Sequence, residues 1–100
     1  MGEARINIPE GKVAEFCNRN HILKLSLFGS CLHDSFRPDS DVDILVEFEP
    51  GHIPGFITLS GMEIELSEVF GRKVDMRTPE DLSPYFRDEV VESAEVQYVR

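Results

Sequence analysis

Asp41 and Asp43 flank Val42 at the head of the apolar run Ile44-Leu45-Val46. On a strand, successive side chains leave opposite faces, so the two carboxylates share one face while Val42 turns to the other. Carboxylates held side by side repel each other. A divalent cation between them removes the repulsion, and magnesium is a hard ion that takes one or two carboxylates together with water and phosphate oxygens. As an isolated tripeptide, Asp-x-Asp at a strand end reads better as a solvated turn. Its neighbourhood changes the reading, because the segment Leu27-Phe28-Gly29-Ser30 ends an earlier apolar run. A glycine lets the backbone approach a phosphate closely, a serine hydroxyl can donate to it, and the amides of a following helix complete an anion site. Gly-Ser alone is a common turn dipeptide. Set between two strands and shortly before the Asp pair, it puts a phosphate site beside a metal site.

The elements that must position these groups can be read from hydrophobic period. Val13, Phe16 and Cys17 after Pro9 have the spacing of a buried helical stripe, which predicts a helix over roughly 9–20. Ile22 to Phe28 alternates Leu23, Leu25 and Leu27 against Lys24 and Ser26, the pattern of a half-buried strand. Ser30 to Ser35 suits a short helix, stopped by the turn Arg37-Pro38-Asp39-Ser40, and a second strand is expected from Asp41 to Phe48. Phe56, Leu59, Met62, Leu66, Val69 and Phe70 form one stripe of a long helix over about 55–70, with Gly71 placed to end it. Lys73 to Arg77 alternates again, and Asp75 leaves the face opposite Val74 and Met76. Thr78-Pro79 opens a helix that Pro84 interrupts, Tyr85 to Ser93 adds further turns, and Glu95 to Val99 makes a short strand. The fold class that follows is α/β (α+β): a small mixed β-sheet with helices packed on one side, in a single domain spanning 1–100.

Composition narrows the function. With 41% hydrophobic and 29% charged residues the chain is an ordinary globular one, and 10 Lys plus Arg against 19 Asp plus Glu give a formal net charge of −9. Such a surface repels a phosphate backbone, so no direct nucleic-acid partner is expected, whereas a basic protein partner would be steered in. The acid excess alone would also serve plain solubility. Cys17 and Cys31 read as small packers or free thiols, not a disulfide framework. No run has the length of a signal peptide or a membrane span, so the expected place is the cytoplasm, with no membrane partner.

In order and spacing, Leu27-Phe28-Gly29-Ser30 followed by Arg37-Pro38-Asp39-Ser40-Asp41-Val42-Asp43-Ile44-Leu45-Val46 resembles the DNA polymerase β-like nucleotidyltransferase superfamily, specifically its minimal, single-domain MNT branch. The resemblance extends to Asp75 and loosely to Leu82-Ser83-Pro84-Tyr85-Phe86-Arg87. It implies that Gly29 and Ser30 grip the triphosphate of ATP. Asp41 and Asp43 would hold the Mg2+ ions, and Asp75 would be the third metal-binding and catalytic carboxylate on a neighbouring strand. Members often carry Arg then Gly where this chain has His33 and Asp34, which removes a phosphate contact that Arg37, Arg72, Lys73 or Arg77 could replace.

Similar proteins are the antitoxins of HEPN/MNT toxin-antitoxin pairs. The resemblance therefore implies AMP transfer from ATP to a hydroxyl, a tyrosine's, on a HEPN ribonuclease toxin, which presents the acceptor in place of an additional domain. A homo- or hetero-oligomer is compatible with this reading. A binding module of another class, an acidic antitoxin that masks its toxin by contact without catalysis, and an antibiotic-modifying subunit are the alternatives.

Overall fold

The computed structural model describes residues 9–29 and 41–100. In chain order the elements are α1 (Glu10–Arg19), β1 (Ile22–Phe28), β2 (Val42–Phe48), α2 (Phe56–Phe70), β3 (Val74–Arg77), a 3-10 turn (Pro79–Asp81), α3 (Arg87–Ser93) and β4 (Glu95–Val99). The expected short helix at Ser30 to Ser35 and the turn at 37–40 lie outside the described residues. The strands form one mixed sheet in the order β3-β2-β1-β4, antiparallel from β2 through β1 to β4 and parallel between β2 and β3.

One face of the sheet carries the core. Ile22, Leu25 and Leu27 of β1, Val42, Ile44 and Val46 of β2, and Val74 and Met76 of β3 pack against Val13, Phe16 and Cys17 of α1 and Met62 and Leu66 of α2. Burying that many apolar side chains is the main force holding the layers together. The β1 pattern departs from simple alternation: Ile22 is buried and Leu23 only half-buried, because the register with β2 slips between Ile22 and Lys24. An extra residue at such a bulge moves the following side chains to the other face. Ser26, expected on the solvent side, is buried, as is its register partner Leu45. Both lie on the face opposite the core, and that face is covered too.

The cover is the segment after β3. The expected helix at Thr78-Pro79 is a single 3-10 turn in which Asp81 Oδ2 accepts from the Thr78 amide at 3.1 Å. Arg87, at the start of α3, donates through Nε to the Pro79 carbonyl at 2.7 Å and through Nη2 to the Leu82 carbonyl at 3.1 Å. These bonds fix α3 across Pro79, Glu80 and Glu47, against the face that Ser26 and Leu45 share. The two long helices thus lie on one side as expected, and short α3 lies on the other.

Two details of α2 matter below. It ends at Gly71 in the left-handed conformation (φ 69°), as its glycine position predicts. Phe56, expected on its buried stripe, is instead 85% exposed, because the core begins only at Leu59 and Met62. Among the described residues, no helix is long and apolar enough to cross a membrane.

Cys17 is wholly buried, and burial pushes its thiol up to about 12. In a Cys31→Ser variant, the folded chain should not react with a thiol reagent near pH 8, and unfolding should release one reactive thiol. Since the folded pKa lies above the ordinary 9.0, the unfolded chain loses this proton first as pH rises. Stability from this group is therefore intact below about pH 9 and declines between pH 9 and 12.

Candidate active site

Asp43 sits second in β2, immediately after buried Val42, and its strand neighbours decide what surrounds it. Its register partner on β1 is Phe28, the residue before Gly29, and its partner on β3 is Asp75. The parallel pairing starts where the Val42 amide donates to the Lys73 carbonyl at 2.8 Å, which sets Val42 beside Val74 and hence Asp43 beside Asp75. Register partners on adjacent strands point to the same face, about 4.8 Å apart. With Val42 and Val74 in the core, both carboxylates leave the face opposite α1 and α2. Asp41 precedes Val42 on the same alternation and is exposed.

Gly29 closes the third side. Its φ is +74°, a region that favours glycine, and a Cβ built there would stand 2.4 Å from Asp43 Oδ2 and 3.2 Å from Asp43 Cγ. The main chain at the end of β1 therefore lies directly against the Asp43 carboxylate. Ser30 lies outside the described residues, as do Arg37, His33 and Asp34.

β3 is an edge strand, and α2 holds it in place. Ser67 Oγ donates to the Glu63 carbonyl at 2.7 Å and accepts from the Val74 amide at 2.9 Å, while Glu63 Oε2 accepts from the Met76 amide at 2.7 Å. These two bonds engage the amides on either side of Asp75, so they fix the backbone that carries it. Glu63→Ala should cost about 1–3 kcal/mol, since a charged acceptor is lost, and Ser67→Ala about 1 kcal/mol. Urea unfolding measures both, and hydrogen exchange at the Met76 amide should quicken in the Glu63 variant.

Gly29 and the Asp75 register position thus both flank Asp43, on the strands expected to carry the motif. A family model described as a nucleotidyltransferase domain matches residues 11–96 of the chain. The chain belongs to that family.

Relatives agree with the placement of this nucleotidyltransferase domain. A Methanocaldococcus jannaschii protein bearing the provisional name of protein adenylyltransferase is 32% identical over 89 residues, which is 89% of this chain and 94% of that one. Among solved structures, one of a minimal nucleotidyltransferase superposes with a TM-score of 0.70 at 29% identity and covers 85% of each chain. A Shewanella oneidensis MNT antitoxin, solved in complex with a tri-AMPylated HEPN toxin, shares the fold with a TM-score of 0.65 at 20% identity, over 91% of this chain and 70% of that one. Membership of the minimal branch of the DNA polymerase β-like superfamily, expected from the motif, holds.

Arg77 Nη2 donates to Asp75 Oδ2 at 3.1 Å, and Lys73 Nζ stands 3.9 Å from Asp41 Oδ2. Both pairs are half exposed, and such pairs contribute roughly 0–1 kcal/mol, so they open at little cost. Among the described residues, no three His, Cys, Asp or Glu side chains converge on one point at metal distance. The donor chemistry nonetheless suits a hard cation. Asp43 and Asp75 offer adjacent carboxylates, and magnesium fills its remaining positions with water and phosphate oxygens. Of the four cations expected to replace a missing phosphate contact, Lys73 and Arg77 lie beside carboxylates.

Glu63 and Ser67 escaped the sequence reading, and Arg87 entered it only within a loose stretch of the resemblance, with no role. Each acts by bonding a backbone group remote from it or across a turn, and their spacing carries no sign of that partner. Beyond Gly29, a groove of ≈ 420 Å³ runs between Phe28 and α3 and is lined also by Phe86, Glu89, Val90 and Ser93.

Proposed function

We propose that this nucleotidyltransferase is an antitoxin that transfers AMP from ATP to a hydroxyl, a tyrosine's, on a HEPN-type ribonuclease toxin and so neutralises it. The observation that carries the reading is the register pairing of Asp43 with Asp75, closed on its third side by Gly29. The 32% identical relative named as a protein adenylyltransferase supports transfer to protein. The shared fold of an antitoxin solved with an AMPylated HEPN toxin supports the partner. The net charge of −9 suits a basic protein and disfavours RNA. Exposed Phe56, Ile57 and Ile64 on α2 offer the apolar contact that protein partners use.

In this reading the 1–100 chain is one catalytic domain working in the cytoplasm, where ATP and the ribonuclease meet. Asp41, Asp43 and Asp75 hold Mg2+, which when bound neutralises phosphate charge and lowers the pKa of an oxygen it contacts. Gly29 gives the triphosphate a close backbone approach, and Ser30 donates its hydroxyl. Asp75 lies nearest the acceptor and orients its hydroxyl in line with the α-phosphorus. The acceptor oxygen bonds to that phosphorus, the bond to the β-phosphate oxygen breaks, and pyrophosphate leaves while the hydroxyl proton passes to solvent through Asp75. Lys73 and Arg77, whose exposed ion pairs open at little cost, would turn to phosphate oxygens.

A masking antitoxin without catalysis is the second reading, favoured by the ion pairs that already satisfy Asp41 and Asp75. Incubating the chain with the HEPN toxin, ATP and magnesium, then reading the toxin's intact mass, separates the two. Addition of one or more AMP units is expected, whereas neutralisation without any mass change would establish masking.

A further inference from the structure

The groove beyond Gly29 lies outside the carboxylate cluster but opens from the same glycine, and its lining is of a different chemical kind. Phe28, Phe86 and Val90 make its walls apolar, Glu89 and Ser93 are its polar groups, and among the described residues no Lys or Arg lines it. An acidic, apolar groove repels phosphate and admits a flat, uncharged group. At ≈ 420 Å³ it falls within the range of pockets that hold small ligands. Phe86 is 49% exposed, leaving ring surface for such a group, and the Arg87 bonds to Pro79 and Leu82 hold the residue after it in place.

We propose that this groove is the nucleobase subsite, with Phe86 stacking on the base and Glu89 accepting a hydrogen bond from its exocyclic amino group. The inference rests on the reading of the neighbouring site as one for a nucleoside triphosphate. It goes further by naming the residues that recognise the nucleoside half. A triphosphate gripped at Gly29 can extend its nucleoside end along the wall formed by Phe28 and α3, since Gly29 itself lines that groove. Base-aromatic stacking tolerates any base, since every base has a π-face, so Phe86 supplies affinity. A carboxylate is an acceptor only, so Glu89 favours bases that carry an amino group, such as adenine, over uracil.

Calorimetric titration with magnesium present tests this with ATP, UTP and inorganic tripolyphosphate, the last having the phosphates and no base. The full chain should bind ATP more tightly than tripolyphosphate. Phe86→Ala should weaken ATP roughly 10-fold and leave tripolyphosphate unchanged, and Phe86→Tyr should restore ATP affinity. Glu89→Ala, a surface change that leaves folding intact, should narrow the gap between ATP and UTP. The inference is overturned if ATP binds no better than tripolyphosphate, if Phe86→Ala weakens both equally, or if neither ligand binds. It is overturned also if Phe86→Ala spares both ligands and raises only the KM for the toxin, which would make the groove the acceptor's. Because the readout is binding, these failures are separate from that of AMP transfer. Transfer to the toxin with an unselective groove refutes the subsite alone, and selective ATP binding without transfer refutes the proposed reaction alone.

Discussion

Asp43→Asn should abolish AMP transfer to the toxin while leaving the fold intact. Asparagine has nearly the same shape, and the backbone of residue 43 is fixed by β1 on one side and β3 on the other, so thermal unfolding should shift little. What is lost is charge at the centre of the site. A neutral amide beside Asp75 and against Gly29 binds a hard cation poorly, and removing one preorganised electrostatic contact of this kind costs on the order of 10²–10³-fold in rate. If Asp43 holds the cation as proposed, its loss should reach at least the upper end of that range. Intact-mass analysis of the toxin after incubation with ATP and magnesium reads the outcome directly. If the variant transfers AMP at the normal rate, the catalytic assignment fails and the masking antitoxin takes its place.

Gly29→Ala should damage both stability and transfer, for two separable reasons. Its φ of +74° is strained for any residue with a Cβ, at about 1–2 kcal/mol. For a domain of this size, that lowers the unfolding midpoint by roughly 4–8 °C per kcal/mol. The added methyl would also stand 2.4 Å from Asp43 Oδ2, so the carboxylate must rotate away. A carboxylate is the movable end of its side chain, and the rotation is cheap for folding. It is costly for catalysis, where a misplacement of about 1 Å can lose 10²-fold. Calorimetry and the transfer assay, run on one preparation, should therefore show a moderate drop in midpoint together with a much larger loss of rate. A stability loss with full transfer would show that Gly29 serves the turn alone.

The local patterns decided the elements. Apolar spacing in α1, β2 and β4 placed them within a residue or two of where they form, and Gly71 ended α2 because a left-handed residue there suits glycine. The motif from Gly29 to Asp43 was legible because it is contiguous and because alternation alone puts Asp41 and Asp43 opposite Val42. Where a bulge intervened, in β1, alternation misassigned Leu23, since a slip of register is set by the partner strand and leaves no mark in the residues themselves; Ser26 keeps its expected face and is buried because a distant segment covers that face.

What only the tertiary structure decided is which distant segments meet. No local pattern distinguishes a parallel from an antiparallel neighbour for β2, yet the parallel choice brings Asp75 beside Asp43. The contact of Gly29 with the Asp43 carboxylate, the grip of Ser67 and Glu63 on β3, and the position of α3 across the open face arise the same way. Each depends on packing and hydrogen bonds between residues far apart in sequence. Sequence period reports only which face of an element is apolar, so the elements were written locally and the site was assembled by the strand register and the helix that holds it.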